Sequence, residues 1–120
     1  MPKKNIATIW ISGVTASGKT TLGQLLYDDL INYGINYLTY LDGDILRKKS
    51  QRTYGYSSEE RFKAIKEYIK IVKAENDNGN IAIISTVSHR KESRFFARKK
   101  LTNFFEINLL CEPKICKKRD

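Results

Sequence analysis

The stretch Gly13-Val14-Thr15-Ala16-Ser17-Gly18-Lys19-Thr20 decides the fold of this 120-residue chain. It fits the pattern G-x-x-x-x-G-K-[ST], a loop whose backbone N–H groups surround phosphate oxygens because glycine lets the backbone approach closely. In this pattern the lysine reaches the terminal phosphates, and the next hydroxyl is a Mg²⁺ ligand at a helix start. The stretch therefore predicts a site for a nucleoside triphosphate and Mg²⁺, in which Lys19 is catalytic, Thr20 binds the metal and Thr21 adds to the nucleotide contacts.

The residues on either side of this loop have the patterns of a strand and a helix. Residues 6–11 are rich in β-branched and aromatic side chains, which is typical of a buried parallel strand. After the loop, an apolar stripe at steps of three and four residues predicts a helix ending at Gly34 and consists of Leu22, Leu25, Leu26, Leu30 and Tyr33. The alternative, a glycine-rich turn with an incidental lysine, leaves these two flanks unexplained.

The composition is that of one globular domain. Hydrophobic residues make up 41% of the chain, and no apolar run approaches the roughly 20 residues that span a bilayer. The basic start, residues 1–4, leads into a strand and not into the apolar region of a signal peptide. We therefore expect a cytoplasmic protein without a membrane partner, in which Cys111 and Cys116 are reduced thiols.

The net charge of +9 has two interpretations, binding of nucleic acid and attraction of anionic nucleotides. Many of the cations follow helical spacing, which is typical of a solvated helix face; examples are Lys63, Lys66, Lys70 and Lys73. The chain contains no recognisable nucleic-acid reader module. We therefore expect a small-molecule nucleotide as partner and no nucleic acid.

Strand and helix patterns alternate along the rest of the chain. The further predicted elements are a strand at 37–41, a helix begun by the capping box Ser57-x-x-Glu60 and stopped by Asn78 and Gly79, a strand at 81–87, a helix at 92–101, a strand at 104–110 and a last helix from Pro113. Phe62, Ile65, Ile69 and Val72 form the expected buried face of the long helix. This alternation predicts an α/β fold with a mostly parallel sheet between two helix layers.

Polar residues follow two of the predicted strands. Asp42 and Asp44 come after the second strand, and Ser88 comes after the third. Because parallel strands end at one edge of the sheet, these residues and the phosphate loop should share a crevice. The alternatives are that the two aspartates form a turn around Gly43 and that Ser88 binds loop backbone.

These residues resemble the adenylylsulfate kinases, P-loop enzymes that transfer phosphate from ATP to the 3′-hydroxyl of adenosine 5′-phosphosulfate. The resemblance is nearly collinear from residue 9 to residue 120. It runs through Ile9-Trp10-Ile11-Ser12-Gly13, the phosphate loop, Leu41-Asp42-Gly43-Asp44 with Arg47, Gly55-Tyr56-Ser57 with Glu60-Arg61, Ser88, and Lys118-Arg119-Asp120. It implies a P-loop NTPase three-layer fold with central strand order 2-3-1-4.

The resemblance also implies roles for individual residues. Asp42 and Asp44 would be catalytic carboxylates near the acceptor hydroxyl, with Asp42 a Mg²⁺ ligand and Asp44 in contact with the substrate. The remaining substrate-binding residues implied are Arg47, Arg61, Tyr56, Val87 and Ser88. The two arginines would hold the acceptor's anionic group and Tyr56 would stack on its base. Ser88 matches a phosphorylatable serine of the family and would also be a catalytic residue. The alternative for both arginines is a plain surface cation.

Two departures from the family pattern concern the acceptor pocket. Ala64 stands where the family usually has asparagine, and residues 86–91 differ from the usual Phe-Ile-Ser-Pro-Tyr-Arg. The alternatives are therefore a kinase of another nucleotide conjugate, such as cytidine diphosphoramidate, and a nucleotide-binding module without turnover. Family members continue past residue 120 with a lid and a last strand, so residues 1–120 are expected to be a single kinase domain lacking both. A homodimer is the expected assembly.

Overall fold

The computed structural model describes residues 6–13, 19–43, 45–46, 58–86, 91–101 and 103–109, with backbone only for residues 19, 20, 58, 61 and 91–93. Within these ranges strands and helices alternate, as the sequence predicts. The elements are β1 (Thr8–Ser12), α1 (Lys19–Asn32), β2 (Leu38–Asp42), α2 (Ser58–Asp77), β3 (Ile81–Thr86), α3 (Lys91–Lys100) and β4 (Phe104–Asn108). The predicted thiols Cys111 and Cys116 and the helix expected from Pro113 lie outside the described residues.

The four strands form one parallel sheet in the order β2-β3-β1-β4. In the register, Trp10 lies beside Ile84 on one side and beside Glu106 on the other. β1 and β3 are central, and their burial explains why both read as apolar runs with little alternation. The predicted α/β class and the 2-3-1-4 order are confirmed.

Each face of the sheet carries its own core. On one face, Trp10 and Ile84 pack with Val72 and other apolar residues of α2 and with Ala97 of α3. On the opposite face, Ile11 and Ile83 pack with side chains of α1. The sheet is therefore the middle layer between two helix layers, which is the three-layer arrangement expected.

The predicted apolar stripe of α1 is wrong at two positions. Leu22, Leu26 and Leu30 pack against the sheet, but Leu25 is 56% exposed and Tyr33 is 86% exposed. The three contacting leucines are four residues apart, so the contact line follows every fourth residue and leaves Leu25 to one side. Tyr33 lies beyond Asn32, where the helix ends.

Glycines end the first two helices through the same backbone motif. Gly34 has a φ of 94° and Gly79 a φ of 86°, a region that residues with a Cβ rarely adopt. After α1, Ile35 N donates to Leu30 O at 3.0 Å, and Gly34 N donates to Ile31 O at 2.9 Å. This is a Schellman motif, and it confirms both predicted helix stops.

A buried asparagine joins α2 to the amino edge of the sheet. Asn76 is only 7% exposed. Its Nδ2 donates to Asn80 O at 2.8 Å and to Ala7 O at 3.3 Å, and its Oδ1 accepts from Thr8 Oγ1 at 3.1 Å. These bonds fix the end of α2 against the starts of β1 and β3, and the sequence patterns gave no sign of them.

Candidate active site

The phosphate loop connects the central strand to the start of a helix. β1 ends at Ser12, and the buried Gly13 follows directly. The helix α1 begins at Lys19. Thr21 lies exposed in the first turn. The N–H groups of such a turn have no partner within the helix, and the helix dipole adds positive potential, so this end of α1 favours phosphate. Residues 14–18 lie outside the described residues.

Asp42 is the last residue of β2 and lies beside Ser85 at the carboxyl edge of the sheet. Ile45 N donates to its Oδ1 at 3.4 Å, a long hydrogen bond, and residues 43, 45 and 46 have helical backbone. Asp42 therefore lies at the predicted edge of the sheet. One of its carboxylate oxygens also accepts from the backbone that follows, which agrees with the alternative that Asp42 forms a turn around Gly43. Asp44 lies outside the described residues.

Gly43 is held closely between β3 and α2. A Cβ on this residue would lie 2.7 Å from Ser85 O and 3.2 Å from the Cα of Thr86. Its carbonyl accepts a hydrogen bond from the Tyr68 hydroxyl at 3.2 Å. Sequence reasoning treated Gly43 only as a turn residue and missed both contacts, although a glycine between two carboxylates at a strand end is a signal of close backbone approach.

Two serines, Ser12 and Ser85, lie at the carboxyl ends of the central strands β1 and β3. The hydroxyls of Ser85 and Tyr40 hydrogen-bond at 2.9 Å, and the Tyr40 ring lies against Gly23 of α1, where a Cβ would be 2.6 Å from Cε1. Ser12 Oγ is buried and has no hydrogen-bond partner in the part of the chain that the structure describes. Neither serine was singled out from the sequence.

The acceptor-side predictions fall mostly on residues that the structure does not describe. Arg61 lies on α2 with only its backbone described. Ala64, one turn further along, is 3% exposed and belongs to the core on this face of the sheet. The predicted residues outside the described ranges are Arg47, Tyr56, Val87 and Ser88.

The lysines of α2 lie on a solvent-facing surface, as the sequence predicts. Lys63, Lys66, Lys70 and Lys73 are all exposed. Lys66 Nζ lies 4.9 Å from the ring centroid of Phe62, which is a cation–π distance.

The described ranges contain neither a cluster of metal ligands nor a membrane-spanning helix. No group of three or more His, Cys, Asp or Glu residues is placed to hold a metal there. No helix within those ranges is long and apolar enough to cross a membrane.

A family model described as adenylylsulphate kinase matches residues 5–120. The chain belongs to the adenylylsulphate kinase family. The resemblance drawn from the sequence motifs is thereby confirmed. The match includes the phosphate loop, Asp42, Asp44 and Arg61 in one continuous stretch.

Two curated relatives illustrate the range of names in the adenylylsulphate kinase family. The cytidine diphosphoramidate kinase of Campylobacter jejuni is 39% identical over 111 residues, which cover 92% of this chain and 64% of that protein. A probable adenylyl-sulfate kinase of Archaeoglobus fulgidus is 37% identical over 112 residues, covering 93% of this chain and 72% of that protein. The chain therefore spans about two thirds of the length of these relatives.

A solved structure of the adenylylsulphate kinase family has the same fold. The APS kinase of Mycobacterium tuberculosis, in complex with AMPPNP and APS, superposes with a TM-score of 0.89 at 27% identity. The alignment covers 99% of this chain and 70% of that one. This similarity confirms the P-loop kinase fold predicted from the sequence.

Proposed function

We propose that this protein is an ATP-dependent kinase that phosphorylates the 3′-hydroxyl of adenylyl sulfate. The observation that carries the proposal is the family match over residues 5–120, together with Asp42 at the same sheet edge as the start of α1. Relatives named adenylyl-sulfate kinase support the acceptor, and a relative solved with AMPPNP and APS supports ATP as donor.

In the proposed reaction, the protein positions two anionic nucleotides and neutralises charge. Lys19 and the N–H groups at the start of α1 bind the phosphates of ATP. Asp44 orients the 3′-hydroxyl and takes its proton while the oxygen bonds to the γ-phosphorus and the bond to the ADP oxygen breaks. Arg47 and Arg61 hold the acceptor's anionic group, and Tyr56, Val87 and Ser88 complete its pocket.

Thr20 and Asp42 are the residues that would hold Mg²⁺ in this proposal. Hydroxyl and carboxylate oxygens suit Mg²⁺, which usually takes one or two protein ligands and completes its shell with phosphates and water. Asp42 lies at the carboxyl edge of the sheet, the edge at which β1 also ends, and its carboxylate suits this donor set. When bound, the ion neutralises phosphate charge during transfer.

Lys19→Ala tests the proposed reaction directly. Because Lys19 lies at the first position of α1 and serves the transferring phosphate, we expect turnover to fall by at least about 100-fold with the fold retained. Transfer of labelled phosphate from ATP to adenylyl sulfate measures turnover, and circular dichroism measures the fold. Lys63→Ala, which removes an exposed lysine of α2, is the matched control. Undiminished turnover in the Lys19 variant would contradict the assignment.

Cytidine diphosphoramidate is a second candidate acceptor. A relative 39% identical carries that kinase name, and Ala64 stands where the family usually has asparagine. Incubation of the protein with both acceptors and labelled ATP decides between them. The ratio of the two labelled products gives the ratio of the kcat/KM values. If neither acceptor is labelled while ATP still binds, the protein is a nucleotide-binding module without turnover.

Three further expectations stay predictions. They are a cytoplasmic location, a homodimer, and a single domain over residues 1–120. Cell fractionation, light scattering and limited proteolysis test them in turn.

A further inference from the structure

Tyr68 connects α2 to Gly43, the residue that follows the proposed catalytic carboxylate Asp42. Its side chain is 5% exposed, and its ring belongs to the core that also contains Trp10 and Ile84. The hydroxyl extends from this apolar cluster and donates to Gly43 O at 3.2 Å. A buried hydroxyl requires a partner, and this one has a backbone carbonyl between Asp42 and Asp44.

Gly43 is confined from the opposite side as well. Its α-carbon lies so close to the end of β3 that a Cβ would be 2.7 Å from Ser85 O. The turn is also tied to Asp42, whose Oδ1 accepts from Ile45 N. The Tyr68 bond and the close approach of β3 therefore confine Gly43 from two directions.

We propose that Tyr68 is a positioning residue, which sets Gly43 and the neighbouring Asp42 relative to α2 for phosphate transfer. Positions 61, 64 and 68 are separated by three and four residues, so they lie along one face of α2. Arg61 is a proposed contact to the acceptor nucleotide. Tyr68 thus joins the end of β2, which bears the proposed catalytic Asp42, to the helix that bears Arg61.

The inference rests on the proposed kinase function, and Tyr68→Phe tests it. The variant keeps the buried ring and removes only the hydroxyl. We expect kcat to fall about 10- to 100-fold, since misplacement of a catalytic group by about 1 Å costs this much. The KM for ATP should stay within about twofold, because the donor loop follows β1 and not β2.

Thr8→Val is the matched control. It removes another buried hydroxyl hydrogen bond, that from Thr8 Oγ1 to Asn76 Oδ1, at the opposite edge of the sheet. Both variants should lower the melting temperature by similar amounts, but only Tyr68→Phe should lower kcat. An equal kcat in the two variants would reduce Tyr68 to a structural role and overturn the proposal.

Hydrogen exchange separates failure of this inference from failure of the proposed function. Amides of residues 38–46 should exchange faster in Tyr68→Phe than in the unmodified chain and in Thr8→Val, because Gly43 has lost its hydrogen bond to α2. Unchanged exchange overturns the positioning role even in an active kinase. Faster exchange in a chain that phosphorylates no acceptor supports the attachment to Gly43 and rejects the kinase function instead.

Discussion

At the scale of single residues, Gly43 is closely confined by the backbone of β3. Its missing Cβ would meet a backbone oxygen, Ser85 O, at 2.7 Å, and backbone atoms of β3 have little room to move. We expect Gly43→Ala to lower the free energy of unfolding by about 1–3 kcal/mol, the usual range for overpacking a core position. Urea unfolding measures this change.

Gly23→Ala is the informative comparison for Gly43→Ala. There the added Cβ would lie 2.6 Å from Cε1 of Tyr40, which is part of a side chain, and alanine favours a helix by about 1 kcal/mol over glycine. The Gly23 variant should therefore be destabilised less than the Gly43 variant. If Gly23→Ala is destabilised more than Gly43→Ala, the backbone at the end of β3 moves more easily than the Tyr40 ring.

The individual residues that sequence reasoning missed make contacts between distant parts of the chain. Tyr68 and Asn76 each lie in a helix whose period predicts only that one side is buried. Their hydrogen bonds go to Gly43 and to Ala7, and no local pattern specifies such pairs. By contrast, Asp42 was placed correctly at the sheet edge, because the end of a parallel strand is a local feature with a fixed location in the fold.

At the scale of elements, α2 is fastened at its end by Asn76. Replacing this residue by alanine removes three hydrogen bonds and leaves the half-buried carbonyl of Ala7 without one of its donors. At about 1 kcal/mol for each bond, we expect Asn76→Ala to cost about 3 kcal/mol of unfolding free energy, measured by urea denaturation. Asn78→Ala, at an exposed position just beyond the helix, should cost far less.

The effect of Asn76→Ala on catalysis should be small at a temperature where the variant is folded. Asn76 joins the amino edge of the sheet, whereas the proposed site lies at the carboxyl edge. A large loss of kcat in folded Asn76→Ala would show that the two edges are coupled through α2.

Element prediction succeeded where burial on both sides made the pattern simple. β1 and β3 are enclosed by neighbours and helices, so their apolar runs identified them as central strands. α1 was predicted less well because spacing alone does not specify which side of a helix is covered. Leu25 satisfies the period and is nevertheless exposed.

At the scale of the whole molecule, the net charge of +9 should influence the rate at which the protein binds its substrates. A positive field accelerates association with anionic nucleotides, and salt screens it over about 10 Å at 0.1 M. We expect kcat/KM for the nucleotides to fall several-fold between about 50 and 300 mM salt, with kcat nearly constant. Steady-state kinetics with sucrose at equal osmolality as control measures this, and a salt-independent kcat/KM would exclude steering by net charge.

The position of β1 in the sheet has a consequence for synthesis on the ribosome. β1 is a central strand that emerges before both of its neighbours, because Thr8 pairs with Ala82 on one side and with Phe104 on the other. At about 5–20 residues per second, roughly 4 to 20 s pass before these partners are made. During that interval the nascent chain carries an apolar strand with both edges open, which makes this stretch a natural target for a chaperone at the exit tunnel.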